Sequence, residues 1–352
     1  MATLLRPLLT PFGRRHGSIA LDRLRACPSV PLGRWPTPLE RLGARPSRLW
    51  VKRDDLSGWG RGGAKARKLE YLLGHLQANC YTDVVALTGN VTNLVFDIAP
   101  ALDAYGIRGR ILVVNYPRAG AADREAIFAG VGDRVELLGA NWAAAVARAL
   151  VLWSRARLAG RRPFLLLPGA AHPGSVIGNA CGMIELAEQL DAHGVTAEAL
   201  VCVTVATGTT LAGFLLGAHA VAAAGGPQIR VVGVAVDRAP LTAFTLALIQ
   251  WTESFLGLPS LVPASDVEIV ALEGGLPFAR FGPAVEAVCH RVWREYELRL
   301  DPIFGGKTWY LMEQRLLADP RLTSRPIVYW HCGFTPEWRG LGSALRVPAR
   351  SP

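Results

Sequence analysis

The segment "ALVCVTVATGTTLAGFLLGAHAVAAAGGPQI" (residues 199–229) contains no aspartate, glutamate, lysine or arginine. It is long enough to span a bilayer. However, valine and threonine dominate its first part, a Gly/Thr turn follows at residues 207–210, and a helical pattern resumes only after that turn. We therefore interpret the segment as a buried strand, a loop and a buried helix, and we expect no membrane span.

The same strand–loop–helix unit recurs along most of the chain. Short apolar runs predict strands at residues 48–53, 83–87, 110–115, 134–139, 163–168, 200–206, 229–236, 267–272 and 326–331. Helical patterns lie between most of them, at residues 141–159, 174–194, 211–224, 240–256 and 283–296. Such alternation favours an α/β fold with parallel sheets covered by helices on both faces. Sheets of this kind bind ligands at the carboxyl ends of their strands.

Composition narrows the class of protein. With 352 residues, 51% of them hydrophobic, the chain can form one large domain or two intimately packed domains. The net charge of +10 would suit an anionic partner. The arginines are scattered and show no nucleic-acid-binding signature, so we expect no nucleic acid partner. The six cysteines contain no C-x-x-C pair, which favours reduced thiols in a cytoplasm and neither a zinc site nor a disulfide scaffold.

Lysine is rare, with only four residues among 38 basic ones. The stretch "GGAKARKLEYLL" (62–73) places Lys65 in a glycine-rich turn before a predicted amphipathic helix. A lysine near a helix N-terminus is electrostatically disfavoured, because the helix dipole prefers anions there. A Schiff base to an aldehyde cofactor would compensate, since it lowers the pKa of the amine. The alternative is an exposed lysine in a flexible loop.

Two further turns follow predicted strands and open helices. Backbone N–H groups and hydroxyls in "TGTT" (207–210) predict a phosphate cradle, although glycine and threonine can also simply turn the chain. In "LTGNVTN" (87–93), Thr92 and Asn93 either cap the following helix or direct their polar groups at a ligand. Neither turn is G-x-G-x-x-G, so a dinucleotide fold is not indicated.

Four blocks in order along the chain carry a family resemblance: "PLGRWPTPLERL" (31–42), "LWVKRDDLSGWGRGGAKARKLEYLL" (49–73), "LPGAAHPGSVIG" (167–178) and "LDPIFGGKTWYLM" (300–312). They resemble the pyridoxal 5'-phosphate (PLP) enzymes of the tryptophan synthase β fold, specifically the family of aminocyclopropane-carboxylate deaminase and D-cysteine desulfhydrase. The resemblance implies two three-layer α/β domains with mostly parallel twisted sheets and PLP in the interdomain cleft. It implies a large domain of residues 1–76 and 178–352, with a smaller domain inserted at 77–177.

The resemblance also assigns roles to residues. Lys65 would hold the cofactor covalently and move the substrate's proton, while Asn93 would lie against the pyridoxal ring. Thr92 stands where the family has a serine that touches substrate. Cys332 stands where the family usually has a threonine facing the pyridine nitrogen. The phosphate would be held by Thr207, Gly208, Thr209 and Thr210.

The chain departs from the family at positions that face the substrate. Phe281 and Phe304 stand where the family commonly has tyrosines, and Leu94 replaces a histidine. Loss of a general acid or base typically costs about 10²–10⁴-fold in rate. We therefore expect a substrate pocket that is drier and more apolar than is usual in the family.

We expect an enzyme that acts on a small amino acid and releases ammonia and a 2-oxo acid by elimination or ring opening. PLP-dependent β-replacement or racemisation is an alternative, as is a PLP-binding protein that has lost most of its catalytic activity. By analogy with relatives of this fold, we expect a homodimer.

Overall fold

The structure is a computed structural model. It describes residues 18–43, 47–60, 63–89, 93–114, 131–236, 240–272, 280–322 and 324–333. Thr92, to which the sequence assigned a substrate contact, lies outside these residues, and so do the first fifteen residues of the chain.

Two β-sheets organise the described residues, one of six strands and one of four. The strands are β1 (Leu39–Arg41), β2 (Leu49–Lys52), β3 (Asp83–Gly89), β4 (Arg108–Val114), β5 (Val135–Leu138), β6 (Pro163–Leu166), β7 (Ala199–Val205), β8 (Ile229–Ala235), β9 (Glu268–Ala271) and β10 (Ile327–Trp330). Nine of them match the nine predicted apolar runs. The inner strands are mostly buried, as expected for strands covered on both faces, whereas β5 and β9 at the sheet edges are half-buried. The half-buried three-residue β1 was not predicted.

The larger sheet has the strand order β1-β2-β10-β7-β8-β9. All its pairings are parallel except that of β1 with β2. The smaller sheet has the order β5-β4-β3-β6 and is parallel throughout. The predicted mostly parallel α/β class is therefore confirmed.

Helices cover both sheets. They are α1 (Ile19–Arg25), α2 (Ala64–Ala78), α3 (Leu94–Ala104), α4 (Trp142–Leu158), α5 (Pro173–Ala192), α6 (Thr209–Ala223), α7 (Leu241–Leu256), α8 (Pro283–Tyr296) and α9 (Gly305–Leu311), which continues as a π-helical turn, Met312–Leu317. Helix α5 packs against both α2 and α6. The helix that carries Lys65 is thereby joined to the helix that follows the predicted phosphate turn.

The uncharged segment at 199–229 consists of strand β7, a loop and helix α6, leading into β8, as predicted. In the part of the chain that the structure describes, no helix is both long and apolar enough to cross a membrane.

The strands of the smaller sheet all come from residues 83–166, and those of the larger sheet come from either side of that range. The domain limits inferred from the sequence, at residues 76/77 and 177/178, fall inside helices α2 and α5. Those limits stay a prediction.

Candidate active site

A cavity of about 210 Å³ lies at the carboxyl ends of strands from both sheets. Its walls include Thr88 and Gly89 at the end of β3, Val205 at the end of β7, and Cys332 just after β10. Such a position is typical of ligand sites in parallel α/β sheets. The cavity brings together these predicted site residues: Lys65, Asn93, Thr207, Gly208, Thr210, Phe304 and Cys332.

Two predicted site residues do not belong to the described cavity wall. Thr209 is fully buried, and its hydroxyl lies 3.4 Å from that of Thr207. Phe281 is also buried, with only 2% of its surface exposed. Their roles, like that of Thr92, stay predictions.

Lys65 lies in the first turn of helix α2, which begins one residue earlier, at Ala64. The helix is preceded by Gly63, whose φ of 96° lies in the left-handed region that favours glycine. The Gly63 N–H donates to the backbone carbonyl of Asp54 at 2.6 Å, which fixes the start of the helix. The half-buried side chain of Lys65 lines the cavity.

Lys68 also lines the cavity, and the sequence interpretation did not identify it. Its spacing from Lys65 could have shown it, because residues three apart share one face of a helix. Burial, followed by the neighbouring Lys65 cation, lowers the pKa of Lys68 to about 8. Two amines in one cavity favour an anionic ligand, since their positive charges otherwise repel each other.

The turn before helix α6 provides an anion cradle on the same cavity. Gly208 has φ 79° and precedes the first residue of this 15-residue helix. A Cβ at Gly208 would lie 2.6 Å from the hydroxyl oxygen of Thr245 and 3.2 Å from its backbone, so a side chain does not fit. The Thr207 and Thr210 side chains line the cavity beside the N-terminal N–H groups of the helix. Such a helix terminus binds phosphate well.

Asn93 immediately precedes helix α3, but its side chain makes no capping hydrogen bond. It is buried and lines the cavity. Of the two roles that the sequence allowed for Asn93, the position in the cavity favours contact with a ligand.

Cys332 lies two residues beyond strand β10. Burial, and then the nearby Asp54 carboxylate, raise the pKa of its thiol to about 12. The thiol is therefore neutral at physiological pH, and the cavity receives no negative charge from it.

Further polar and aromatic groups in the cavity were not identified from the sequence. The phenol of Tyr329 is buried and donates to the backbone carbonyl of Gly305 at 3.3 Å. Burial raises its pKa well above the usual 10, so it stays protonated. Trp142, at the start of helix α4, adds an indole from the smaller sheet's side. One phenol thus lines the cavity, although position 304 is a phenylalanine.

Asp301 is a buried carboxyl group in the cavity wall. Its Oδ1 accepts N–H groups from Ile303 at 3.0 Å and from Phe304 at 2.8 Å. Burial nevertheless raises its pKa to about 6. Asp301 therefore exchanges a proton close to neutral pH, in the range that general acid–base catalysis uses.

Asp301→Asn is expected to stabilise the protein at pH 7.5 by up to roughly 2–3 kcal/mol, because the variant no longer buries a carboxylate. In the wild type the folded pKa of Asp301 lies above the unfolded one, so the contribution of this group to stability is greatest below about pH 4 and is lost as the pH rises through about 6. Urea unfolding at pH 4.5 and pH 7.5 measures the difference.

Asp83→Asn is the control for that experiment. Hydrogen bonds from Arg108 and Thr82 outweigh the effect of burial and lower the pKa of Asp83. Its carboxylate should therefore stabilise the protein at pH 7.5, and its replacement should destabilise it. Equal pH dependence in Asp301→Asn and the wild type would contradict the raised pKa of Asp301.

Together, the fold and the cavity are typical of an enzyme in which two mostly parallel sheets enclose a site for an anionic cofactor that reacts with an amine. The chain belongs to the family described as "Pyridoxal-phosphate dependent enzyme", whose model matches residues 30–333. Its cofactor is accordingly PLP, and the anion cradle, the two lysines and the neutral thiol fit that group.

Relatives and solved structures agree with the family. The chain is 29% identical over 333 residues to a Pyrococcus abyssi protein named for 1-aminocyclopropane-1-carboxylate deaminase, covering 88% of this chain and 92% of that protein. It is 29% identical to nocardicin C-9' epimerase of Nocardia uniformis subsp. tsuyamanensis, covering 89% and 94%. The crystal structure of an ACC deaminase homologue superposes with a TM-score of 0.78 at 25% identity, covering 94% of this chain and all of that one.

Proposed function

We propose that this enzyme acts on a small amino acid and releases ammonia and a 2-oxo acid, as a deaminase or lyase. The observation that carries the proposal is the meeting of Lys65, Lys68 and the Thr207–Thr210 turn at a single cavity. The amine can bind the aldehyde group of such a cofactor while the anion cradle binds its phosphate. The relatives named for 1-aminocyclopropane-1-carboxylate deaminase support this reaction class.

Each cavity residue has a role in this proposal. The Thr207–Thr210 turn and the Lys68 ammonium bind the phosphate, and Asn93 bonds the ring. The Cys332 thiol faces the ring nitrogen without a charge. The bound cofactor supplies an electron sink for the negative charge that develops on the substrate. Lys65 holds the cofactor and then moves the proton at the substrate's α-carbon.

The remaining walls favour a small substrate with an apolar part. Phe304, Trp142 and Leu94 contribute apolar surface to the cavity. In this proposal Thr92 and Phe281 complete the substrate pocket. Asp301 is a described cavity group that can exchange a proton with a substrate in place of the two tyrosines, since its pKa is about 6.

Racemisation or epimerisation is a second candidate function. A reaction that only removes and returns a proton at the α-carbon needs Lys65 but no phenol at position 304. The phenylalanine at that position favours such chemistry, and so does the similarity to nocardicin C-9' epimerase.

One experiment separates the two candidates. Purified protein supplied with PLP is incubated with a panel of small D- and L-amino acids and 1-aminocyclopropane-1-carboxylate. The proposal expects ammonia and 2-oxo acid in equal amounts. Inverted substrate without 2-oxo acid would favour the second candidate, and PLP binding without turnover of any substrate would leave a catalytically inactive PLP-binding protein.

Phe304→Tyr tests the consequence of the missing phenol. Restoring a hydroxyl to the cavity wall is expected to raise the rate of 2-oxo acid formation by about tenfold or more, since a placed acid contributes about 10²–10⁴-fold. Phe281→Tyr is the companion variant, because Phe281 also stands in the proposed substrate pocket but lies outside the described cavity wall, so a smaller gain is expected from it. A larger gain from Phe281→Tyr would reverse the importance of the two positions.

We further infer that the protein is a cytoplasmic homodimer. The analogy with relatives of this fold supports the dimer, and the cysteines without disulfide spacing support the compartment. Size-exclusion chromatography with light scattering on the PLP-loaded protein tests the dimer, and a mass of about one chain would contradict it.

A further inference from the structure

Behind the cavity lies a buried ion cluster of four side chains, defined as Lys52, Asp54, Arg67 and Glu185. Each is less than 9% exposed. Two cations face two anions, so the cluster is electrically balanced. It lies beneath the helix turn that carries Lys65, and it has no role in the proposed function as stated above.

Arg67 is the centre of the cluster. Its Nε and Nη2 donate to the two carboxylate oxygens of Asp54, each at 2.8 Å. Its Nη1 and Nη2 donate to Glu185 at 3.0 and 2.8 Å. Both contacts are bidentate, which fixes the orientation of the guanidinium as well as its position.

Lys52 completes the charge balance from strand β2. Its ammonium is ion-paired to Glu185 and donates to Gln189 at 2.7 Å and to the backbone carbonyl of Thr37 at 2.6 Å. The cluster therefore joins β2, helix α2 and helix α5 through satisfied polar groups.

Asp54 contacts both segments that bring Lys65 and Cys332 to the cavity. Its backbone carbonyl accepts from Gly63, two residues before Lys65, and its side chain binds Arg67, two residues after Lys65. Its Oδ2 also accepts from the indole Nε1 of Trp330 at 2.8 Å. Trp330 lies two residues before Cys332, so one carboxylate holds both segments.

We propose that Asp54 is a positioning residue that fixes the position of the Lys65 amine relative to the Cys332 thiol. The proposal rests on the proposed function, in which these two groups contact the cofactor. Without the Asp54 charge, Arg67 keeps only Glu185 as a bidentate partner, and the cluster gains one unbalanced positive charge. The helix that carries Lys65 and the end of β10 then lose the charged carboxylate that binds both of them, while the backbone bond from Gly63 to Asp54 remains.

Asp54→Asn tests the proposal in the PLP-loaded full-length protein. We expect kcat to fall by about tenfold or more with KM changed less than about twofold, because a displacement of about 1 Å can cost about 10²-fold. We also expect the circular dichroism of the bound cofactor's visible band to change in amplitude, since this signal reports how the cofactor is oriented.

Asp83→Asn is the matched control. Asp83 is likewise a buried carboxylate held by arginines, Arg108 and Arg161, but it lies at the start of β3, at the opposite end of that strand from the cavity. The Asp83→Asn variant should have a lower Tm and an unchanged kcat and visible dichroism. Trp330→Phe is a second variant, because it removes the N–H donor to Asp54 and leaves the four charged side chains of the cluster unchanged. It also puts a smaller ring into the core against Phe214, so a loss of Tm alone does not count for the proposal.

The outcomes separate this proposal from the proposed function. If Asp54→Asn and Trp330→Phe lower Tm as Asp83→Asn does, but keep the wild-type kcat and dichroism, the cluster is merely structural and the positioning role is overturned. Should Asp54→Asn fail to fold, Trp330→Phe alone decides the matter. If the wild type supplied with PLP shows no visible band that depends on Lys65, the proposed function fails and this inference fails with it.

Discussion

Lys65→Ala is expected to abolish the visible absorption band of the PLP-loaded protein and to lower turnover by about 10⁴-fold or more. The variant removes both the amine that holds the cofactor and the group that moves the substrate's proton, and each is a large catalytic contribution. Absorption spectra of the protein with added PLP and single-turnover assays on the best substrate measure the two effects.

Lys68→Ala is the control, because it removes the other amine from the same cavity. We expect it to keep the visible band and to weaken PLP binding by about 10²-fold, since the phosphate loses a charged partner. If Lys65→Ala keeps the band and Lys68→Ala loses it, then Lys68 holds the cofactor covalently and Lys65 does not.

Gly63→Ala is expected to destabilise the protein by more than about 3 kcal/mol and to prevent tight PLP binding. A Cβ on Gly63 would lie 1.8 Å from the carbonyl oxygen of Cys332 and 2.5 Å from its carbon. The φ of 96° adds strain to that collision. Because both collision partners are backbone atoms, the Lys65 turn and the Cys332 segment must separate. Urea unfolding and a PLP titration measure the two consequences.

Gly106→Ala shows what backbone strain alone costs. Gly106 also has a positive φ, 65°, but nothing lies within 4 Å of its Cβ position. We expect a loss of only about 1–2 kcal/mol and unchanged PLP binding. If Gly63→Ala costs no more than Gly106→Ala, the close approach of Gly63 to Cys332 does not matter for stability.

Asp301 has two roles in the proposed function, in which it takes the place of the phenols expected from the resemblance. Its Oδ1 holds the turn that presents Phe304, and its pKa of about 6 makes it a proton exchanger. Burial of this carboxyl lowers stability at neutral pH, as expected when a functional group is placed against its own folding preference. A variant that gained stability and lost turnover would agree with this interpretation.

Local sequence patterns determined the secondary structure of this protein. The run at 200–206 predicted β7 and the run at 229–236 predicted β8, because the buried part of a strand covered on both faces is nearly continuously apolar. The edge strand β1 was not predicted, since its two half-buried residues and one exposed residue carry no such pattern. Turn residues likewise predicted that Lys65, Asn93 and Gly208 would lie at a ligand site.

Only the tertiary structure decided which groups, distant in sequence, lie close to these site residues. Asp54 and Glu185 are 131 residues apart in sequence, and Trp330 lies further still along the chain, yet all three serve one anchor beneath Lys65. Periodicity reports whether a side chain is buried, but the partner of a buried charge depends on how strands are ordered within the sheet. The order β2-β10-β7 places residues 49–52 beside residues 327–330, and no local pattern encodes that pairing.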